Sequence, residues 1–146
     1  MDIVSFNLNR FVAAQAPVID AVRGELRRGS KTSHWMWFVF PQLAVLGTSA
    51  MAKRYGIDSV QEACAYLAHP VLGPRLLECC ALLLQVPNNE IEDILGHPDD
   101  LKFRSCLTLF MAAAPTERVF QKCLEKFYGG APDARTVLLC WKGDGS

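Results

Sequence analysis

Apolar residues recur every three or four positions along most of this chain, and that period restricts the fold to packed helices. Such an apolar stripe extends from Leu8 to Leu26, and Pro17, on the opposite side, either kinks one helix or starts a second. Gly29 follows two arginines, a pattern typical of a helix end. No segment alternates apolar and polar residues between hairpin turns, so we expect no sheet of three or more strands.

Capping patterns, prolines and glycines set the boundaries of the other predicted helices. Ser59 and Glu62 have the spacing of a capping box, which predicts a helix from Val60 to about Ala68. The remaining predicted helices cover residues 49–55, 70–86, 90–95, 98–114, 116–127 (capped by Thr116) and 133–141. The fold class that follows is all-α, with a single compact irregular bundle of about seven to eight helices in one domain, residues 1–146.

Composition and charge exclude several classes of protein. The chain has 146 residues, of which 51% are hydrophobic, and its 15 basic residues balance 15 acidic ones. A neutral chain lacks the basic surface of a non-specific nucleic-acid binder, and its charge does little to oppose a homodimer. No apolar run approaches the roughly 20 residues of a spanning helix, and the N-terminus lacks the pattern of a secretory signal. We therefore expect a cytoplasmic protein with no nucleic-acid and no membrane partner.

The cysteines raise the question of disulfides or a metal site. They are Cys64, Cys79, Cys80, Cys106, Cys123 and Cys140. Each lies in an apolar helical context and the chain has no export signal, so we expect reduced, mostly buried thiols. No CxxC pair occurs, and the three histidines are not spaced as metal ligands. Common cofactor and hydrolase motifs are also absent from the sequence, so we expect no metal and no cofactor.

The segment from Lys31 to Gln42 is the most aromatic part of the chain. Four aromatic residues and a histidine fall within seven positions, in a pattern that fits neither a helix nor a strand. Such rings can form the walls of a ligand pocket, with Lys31, His34 and Gln42 as its polar groups. The segment therefore supplies the first candidate site.

Individual aromatic residues of this segment allow two interpretations. Phe38 and Phe40 are most simply explained as core residues, as large apolar side chains usually are. His34 and Trp35 together favour a site, because both carry hydrogen-bond donors that need partners when they are buried. In that interpretation Trp35 and Trp37 are the walls of the pocket.

Gln15 and Asp99 lie at positions where an apolar residue is expected. Gln15 falls within the first apolar stripe, so its amide either bonds a backbone group across the bundle or faces a ligand. Asp99 points along the apolar side of the helix that starts at Pro98. Lys102 lies beside it, and Ser105 lies on the flank beyond. A carboxylate in that position can act as a general acid or base, or bind ribose hydroxyls.

Four segments of the chain resemble a bacterial family of unknown function. They are NLNRFVAAQ (7–15), SHWMWFVFPQ (33–42), YLAHPVLG (66–73) and DDLKFRS (99–105). The similarity covers nearly the whole chain, and the HWMWFVFPQ string is highly specific. Some genome annotations label members of this family "calpastatin", but the inhibitory regions of calpastatin are disordered and polar, whereas this chain is apolar.

A fainter similarity is to the NADAR superfamily, small all-α proteins of NAD and ADP-ribose metabolism that include N-glycosidases. It consists of size, helical class and a polar residue in the first helix followed by aromatic and acidic segments. No NADAR motif matches residue by residue, so no catalytic role is transferred from that superfamily. The resemblance implies a nucleotide-like or ADP-ribose-like small molecule as the partner.

The first hypothesis is a small enzyme that hydrolyses the N-glycosidic bond of such a substrate. The oxocarbenium-like transition state needs a carboxylate, here Asp99, and a group that assists departure of the base, here His34 or Lys102. The predicted ligand-binding residues are Gln15, Lys31, Trp35, Trp37, Gln42, Lys102 and Ser105. The residues expected to converge around one cavity are Gln15, His34, Trp35 and Asp99. The alternatives are a non-catalytic module for a nucleotide-like ligand and a helical interaction protein without a small-molecule site.

Overall fold

The computed structural model describes residues 6–141, and this part of the chain folds into ten α-helices. They are α1 Asn9–Gln15, α2 Ile19–Arg28, α3 Met36–Val39, α4 Ala50–Arg54, α5 Val60–Ala68, α6 Leu72–Gln85, α7 Ile91–Leu95, α8 Asp99–Ala113, α9 Val119–Tyr128 and α10 Ala134–Trp141. A 3-10 helix, Ala44–Leu46, precedes α4. Within the described residues the chain contains no strand, which confirms the all-α class, although it has two helices more than the eight expected.

Most helix boundaries follow from the local signals. Pro17 separates α1 from α2, so the first apolar stripe belongs to two helices. Gly29 ends α2 in the left-handed region, with a φ of 69°, where glycine pays no steric penalty. Ser59 caps α5, since its Oγ accepts a hydrogen bond from the Glu62 backbone N at 3.1 Å.

Two local predictions were incomplete. The single turn of α3 lies inside the aromatic segment, and four residues are too few to show a helical period. The predicted cap at Thr116 was wrong, because α9 starts at Val119. The N-cap residue of α9 is Arg118, whose side chain makes no capping bond, and the Glu117 carboxylate accepts a hydrogen bond from the Val119 backbone N at 3.4 Å.

The core is organised around α8, which packs against α5, α7, α9 and α10. Its buried rings anchor the bundle: Phe103 lies 4.6 Å from the Phe40 ring centre, and Phe110 lies 5.3 Å from that of Tyr66. Fully burying one such ring stabilises the fold by about 2 kcal/mol. The predicted core positions of Phe38 and Phe40 are confirmed.

The chain between α3 and α4 is held by a short backbone pairing. Leu43 and Ile57 form an isolated parallel bridge. The Ile57 backbone N donates to the Gln42 carbonyl at 2.9 Å, and the Ala44 backbone N donates to the Ile57 carbonyl at 2.9 Å. These bonds fix the backbone of Gln42 beside Ile57, two residues after Tyr55, the C-cap of α4.

Two further findings concern the thiols and the helix lengths. The cysteines form no disulfide, and four of the six are buried, as expected. Burial raises the pKa of Cys79 to about 12. Within residues 6–141, no single helix is long and apolar enough to cross a membrane. Helices α5 and α6, bent by 90° at their junction, reach that length and composition only as a pair.

Candidate functional site

A surface groove runs between the α3–α4 region on one side and helices α8 and α10 on the other. Its narrow part, about 270 Å³, is lined by Met36, Trp37, Phe40, Gln42, Ala52, Tyr55, Gly56 and Lys102. Its wide part, about 930 Å³, is lined by Gln42, Leu46, Gly47, Thr48, Ser49, Ala52, Pro98, Leu101, Lys102, Ser105, Asp133 and Arg135. Both volumes include space that is open to solvent. Gln42, Ala52 and Lys102 line both parts and mark where they meet.

Three of the eight residues that line the narrow part are aromatic. Trp37 is half-buried on α3, between two residues whose side chains are buried in the core. The Lys102 ammonium lies 5.9 Å from the Trp37 ring centre, at the outer limit of a cation–π contact. The Gln42 side chain is half-buried and makes no hydrogen bond to the residues that the structure describes. Its amide is therefore available to a ligand as both a donor and an acceptor.

The wide part carries charged groups of both signs. Asp133 caps α10, because its Oδ2 accepts hydrogen bonds from the Thr136 backbone N at 2.9 Å and the Thr136 hydroxyl at 2.7 Å. Arg135, two residues further on, is exposed. Its side chain makes no ion pair or hydrogen bond with the rest of residues 6–141. The buried Ser105 hydroxyl donates to the Leu101 carbonyl at 3.3 Å.

Asp99 lies in the first turn of α8, next to the groove. Its Oδ2 is 3.1 Å from the Lys31 ammonium, and its Oδ1 is 3.6 Å from the Lys102 ammonium. The Asp99 side chain is only 18% exposed, so the two lysines compensate most of its lost hydration. The Lys31 ammonium also lies 5.2 Å from the Trp35 ring centre. Lys102 thus connects Asp99 to the groove.

Trp35 is buried, and a carboxylate that the sequence analysis did not single out satisfies its indole. The Trp35 Nε1 donates to Glu25 Oε1 at 2.9 Å. The same carboxylate accepts hydrogen bonds from the backbone N of Thr32 at 2.8 Å, the backbone N of Ser33 at 3.1 Å and the Ser33 hydroxyl. Burial acts to raise the pKa of Glu25, but these hydrogen bonds outweigh it and lower the pKa to about 2. The loop between α2 and α3 is therefore built around Glu25.

Gln15 is buried in a separate hydrogen-bond network. Its Nε2 donates to the Phe38 carbonyl at 2.7 Å and to the Tyr66 hydroxyl at 3.0 Å. Its Oε1 accepts a hydrogen bond from Arg75 Nη1 at 3.3 Å. Of the two interpretations of Gln15, the bond to a backbone group across the bundle is the one observed. Its amide has no donor hydrogen left for a ligand.

The sequence-predicted site residues therefore fall into two groups. Those that line the groove are Trp37, Gln42, Lys102 and Ser105. Those that do not line it are Gln15, Lys31, His34, Trp35 and Asp99. Lys31 and Asp99 reach the groove indirectly, through Lys102. His34 is exposed, and the expected cavity shared by Gln15, His34, Trp35 and Asp99 does not coincide with the groove.

Two polar residues were missed by the sequence analysis. Glu25 had a signal, because it lies three residues after Val22 and one before Leu26, on the apolar side of its helix. Arg135 had none, because a single arginine at the start of a helix is unremarkable in sequence. Only the packing of α10 against α8 brings it to the groove.

One group of side chains in the described part of the chain has the composition of a metal site. Glu92, His97 and Asp100 place potential ligand atoms within 4.8 Å of one another at the junction of α7 and α8. The His97 Nδ1 lies 2.9 Å from Asp100 Oδ1. Glu92 and His97 are exposed, and such surface groups commonly occur without a metal. The expectation of no metal stays a prediction.

Fold and groove together define a small all-α protein with a surface groove of mixed aromatic and cationic lining. The chain belongs to the family described as "Protein of unknown function (DUF1810)", whose family model matches residues 5–140. It is also similar to a solved structure, that of the conserved hypothetical protein Rv1873 from Mycobacterium tuberculosis. The two chains are 56% identical, with a TM-score of 0.91 over 92% of this chain and 96% of that one. No curated protein matches the chain. These matches show neither a calpastatin nor a NADAR relationship.

Proposed function

We propose that the groove binds a nucleotide-like small molecule. The observation that carries the proposal is the junction of the two parts of the groove, where Gln42 and Lys102 stand beside Trp37 with unused bonding capacity. Ligand pockets are typically apolar with a few polar groups placed to fix orientation, and the narrow part has that composition. A planar base would stack on the half-buried Trp37 at the mouth of the narrow part, while Gln42 would offer a donor and an acceptor to its edge.

We propose further that the bound ligand is hydrolysed at its N-glycosidic bond. As the bond from the anomeric carbon to the base nitrogen breaks, its electron pair leaves with the base and positive charge develops on the sugar. The Asp99 carboxylate would stabilise that charge, water would add to the anomeric carbon, and the proton lost by the water would balance the one gained by the departing base. Lys102 would bind the phosphate or assist departure of the base. Because its contact with Asp99 is loose, at 3.6 Å, its movement toward a ligand would free Asp99 Oδ1.

One observation favours binding without catalysis as the second candidate. Asp99 does not line the groove, and both of its carboxylate oxygens face lysines. A residue so placed can act as a structural partner of Lys31 and Lys102 with no part in chemistry. His34, the other predicted catalytic residue, is exposed and outside the groove, so we assign it no role in either candidate.

Thermal unfolding and direct turnover test these candidates together. Adenosine, AMP and ADP-ribose are added to the wild type, to Trp37→Ala and Lys102→Met, and to the control Lys122→Met, whose lysine is exposed on α9. We expect at least one compound to raise the Tm of the wild type and the control, with a smaller rise in the two groove variants. If no compound raises the Tm of the wild type, the binding proposal fails and the interaction protein takes its place.

Turnover then separates the enzyme from the binding module. Release of free adenine is measured by chromatography with the wild type and with Asp99→Asn. The hydrolase proposal requires adenine release by the wild type and its loss in Asp99→Asn, with ligand binding retained. Binding without adenine release leaves the non-catalytic module.

A further inference from the structure

We infer that Arg135 and Lys102 form an anion-binding subsite in the wide part of the groove, and that Arg135 selects ligands carrying a phosphate-like group. The ligand class is therefore a planar ring joined to such a group, with the ring against Trp37 at the mouth of the narrow part and the anion in the wide part. The orientation rests on the proposed function, whereas the anion subsite stands on the side chains of the wide part alone.

The side chains that line the wide part carry two positive charges and one negative charge. Three charged side chains line it, namely Lys102, Asp133 and Arg135. Asp133 directs one carboxylate oxygen to Thr136 in the cap of α10. Among residues 6–141, Lys102 forms an ion pair with Asp99, at 3.6 Å, and Asp99 has a closer partner in Lys31 at 3.1 Å. Arg135 has no acidic partner within residues 6–141.

The residue types suit an oxyanion with several acceptor atoms. A guanidinium presents paired N–H donors that match two phosphate oxygens, and an ammonium adds a point charge. Hydroxyl groups lie on the same surface. The Ser49 Oγ accepts a hydrogen bond from the Ala52 backbone N at 3.0 Å, which leaves its hydroxyl hydrogen for an acceptor such as a phosphate oxygen.

The two parts of the groove differ enough to impose one orientation. The narrow part is enclosed by Met36, Trp37, Phe40 and Tyr55, where an anion would lose hydration with few donors to replace it. The wide part has more than three times that volume and keeps contact with water. Gln42 and Lys102, at the junction, would contact the segment that joins ring and anion.

Calorimetric titration of the whole chain tests the subsite with adenosine, AMP and inorganic pyrophosphate. The variants are Arg135→Gln and the matched control Arg118→Gln, whose arginine is also exposed near a helix start but lies outside the groove. We expect AMP to bind Arg135→Gln about tenfold more weakly than wild type, with adenosine and the control unchanged. Inorganic pyrophosphate should bind the wild type, and its affinity should fall at least about tenfold in Arg135→Gln. Raising the salt concentration should weaken the binding of AMP but not that of adenosine.

The remaining outcomes separate this inference from the proposed function. If AMP and adenosine bind the wild type equally, or if Arg135→Gln weakens both equally, the subsite is refuted and the groove as a binding site stands. If pyrophosphate binds in an Arg135-dependent way but adenosine and AMP do not bind, the subsite stands and the nucleotide-like ligand is refuted. If none of the three compounds binds, both fail.

Discussion

Two glutamines, Gln15 and Gln42, show how differently this chain uses the same side chain. The amide of Gln15 is buried, with both donor hydrogens and its oxygen engaged by Phe38, Tyr66 and Arg75. The amide of Gln42 is half-buried and has no hydrogen-bond partner within the described residues. A polar group satisfied by its own chain stabilises the fold, whereas one left open in a groove is free to recognise a ligand.

The carboxylates of Glu25 and Asp99 repeat this contrast. Glu25 accepts four hydrogen bonds from the loop that it organises, and it contacts no cation among the described residues. Among the described residues, Asp99 is held by two ammonium groups, one of which belongs to the groove. We therefore interpret the region around Gln15 and Glu25 as structural and the region around Gln42 and Lys102 as the functional surface. The following predictions test that division, from the largest expected effect to the smallest.

Replacing Glu25 should have the largest effect on stability. Glu25→Gln removes the charge that four donors share, and the pKa shift from 4.5 to about 2 corresponds to about 3 kcal/mol of unfolding free energy. Because the folded-state pKa is lowered, this contribution is present above pH 4.5 and is lost as the pH falls toward 2. Urea unfolding at several pH values should show that the difference in unfolding free energy between the wild type and Glu25→Gln disappears in that range.

The exposed Glu92→Gln on α7 is the control and should keep the acid sensitivity of the wild type. A stability difference between wild type and Glu25→Gln that does not change with pH would contradict the structural role of the Glu25 charge.

Gln15→Leu should destabilise the fold by about 2 kcal/mol. The change leaves the Tyr66 hydroxyl and the Phe38 carbonyl without their partner in a buried environment. The midpoint and slope of urea unfolding measure the effect. Ligand affinity in the groove should stay at the wild-type value, and a selective loss of ligand binding in a stable Gln15→Leu would instead make Gln15 a ligand residue.

Lys31→Met should cost about 1 kcal/mol, since it removes the closer of the two cations beside the partly buried Asp99. Its matched control is Lys122→Met, which should leave the unfolding free energy unchanged. Chemical unfolding at low and high salt provides the measurement, and the cost should shrink as salt increases. An effect as large as that of Glu25→Gln would place Asp99 and Lys31 in the structural region.

Gln42→Leu should have the smallest effect on stability, within about 0.5 kcal/mol, because no partner in the described chain loses a hydrogen bond. Its effect should appear in binding, where the rise in Tm caused by AMP becomes smaller than in the wild type. Differential scanning fluorimetry with and without AMP measures both quantities. A variant that unfolds as easily as Gln15→Leu would remove the distinction between the two glutamines.

Residue chemistry alone identified several members of the groove. Trp37 and Gln42 were selected from the aromatic segment, and Lys102 and Ser105 from the helix that starts near Pro98. These inferences succeeded because aromatic rings with nearby polar groups are the usual composition of a ligand site. The same reasoning selected Gln15 and Trp35, since it finds polar groups that need partners but cannot say whether the chain or a ligand supplies them.

Because caps, prolines, glycines and apolar periods act over a few residues, the sequence by itself determined most of the helices, though not α3 or the start of α9. It also determined that Gln15 and Trp35 had to be satisfied, because an unpaired buried donor is costly in any fold. Only the tertiary structure decided which groups form hydrogen bonds with them and which polar groups have no partner in the described chain. Arg135 reaches the wide part of the groove, which Lys102 also lines, through the packing of α10 on α8. Glu25 reaches Trp35 through the turn of the chain after α2. Such contacts depend on how helices pack in space, which no local pattern of residues encodes.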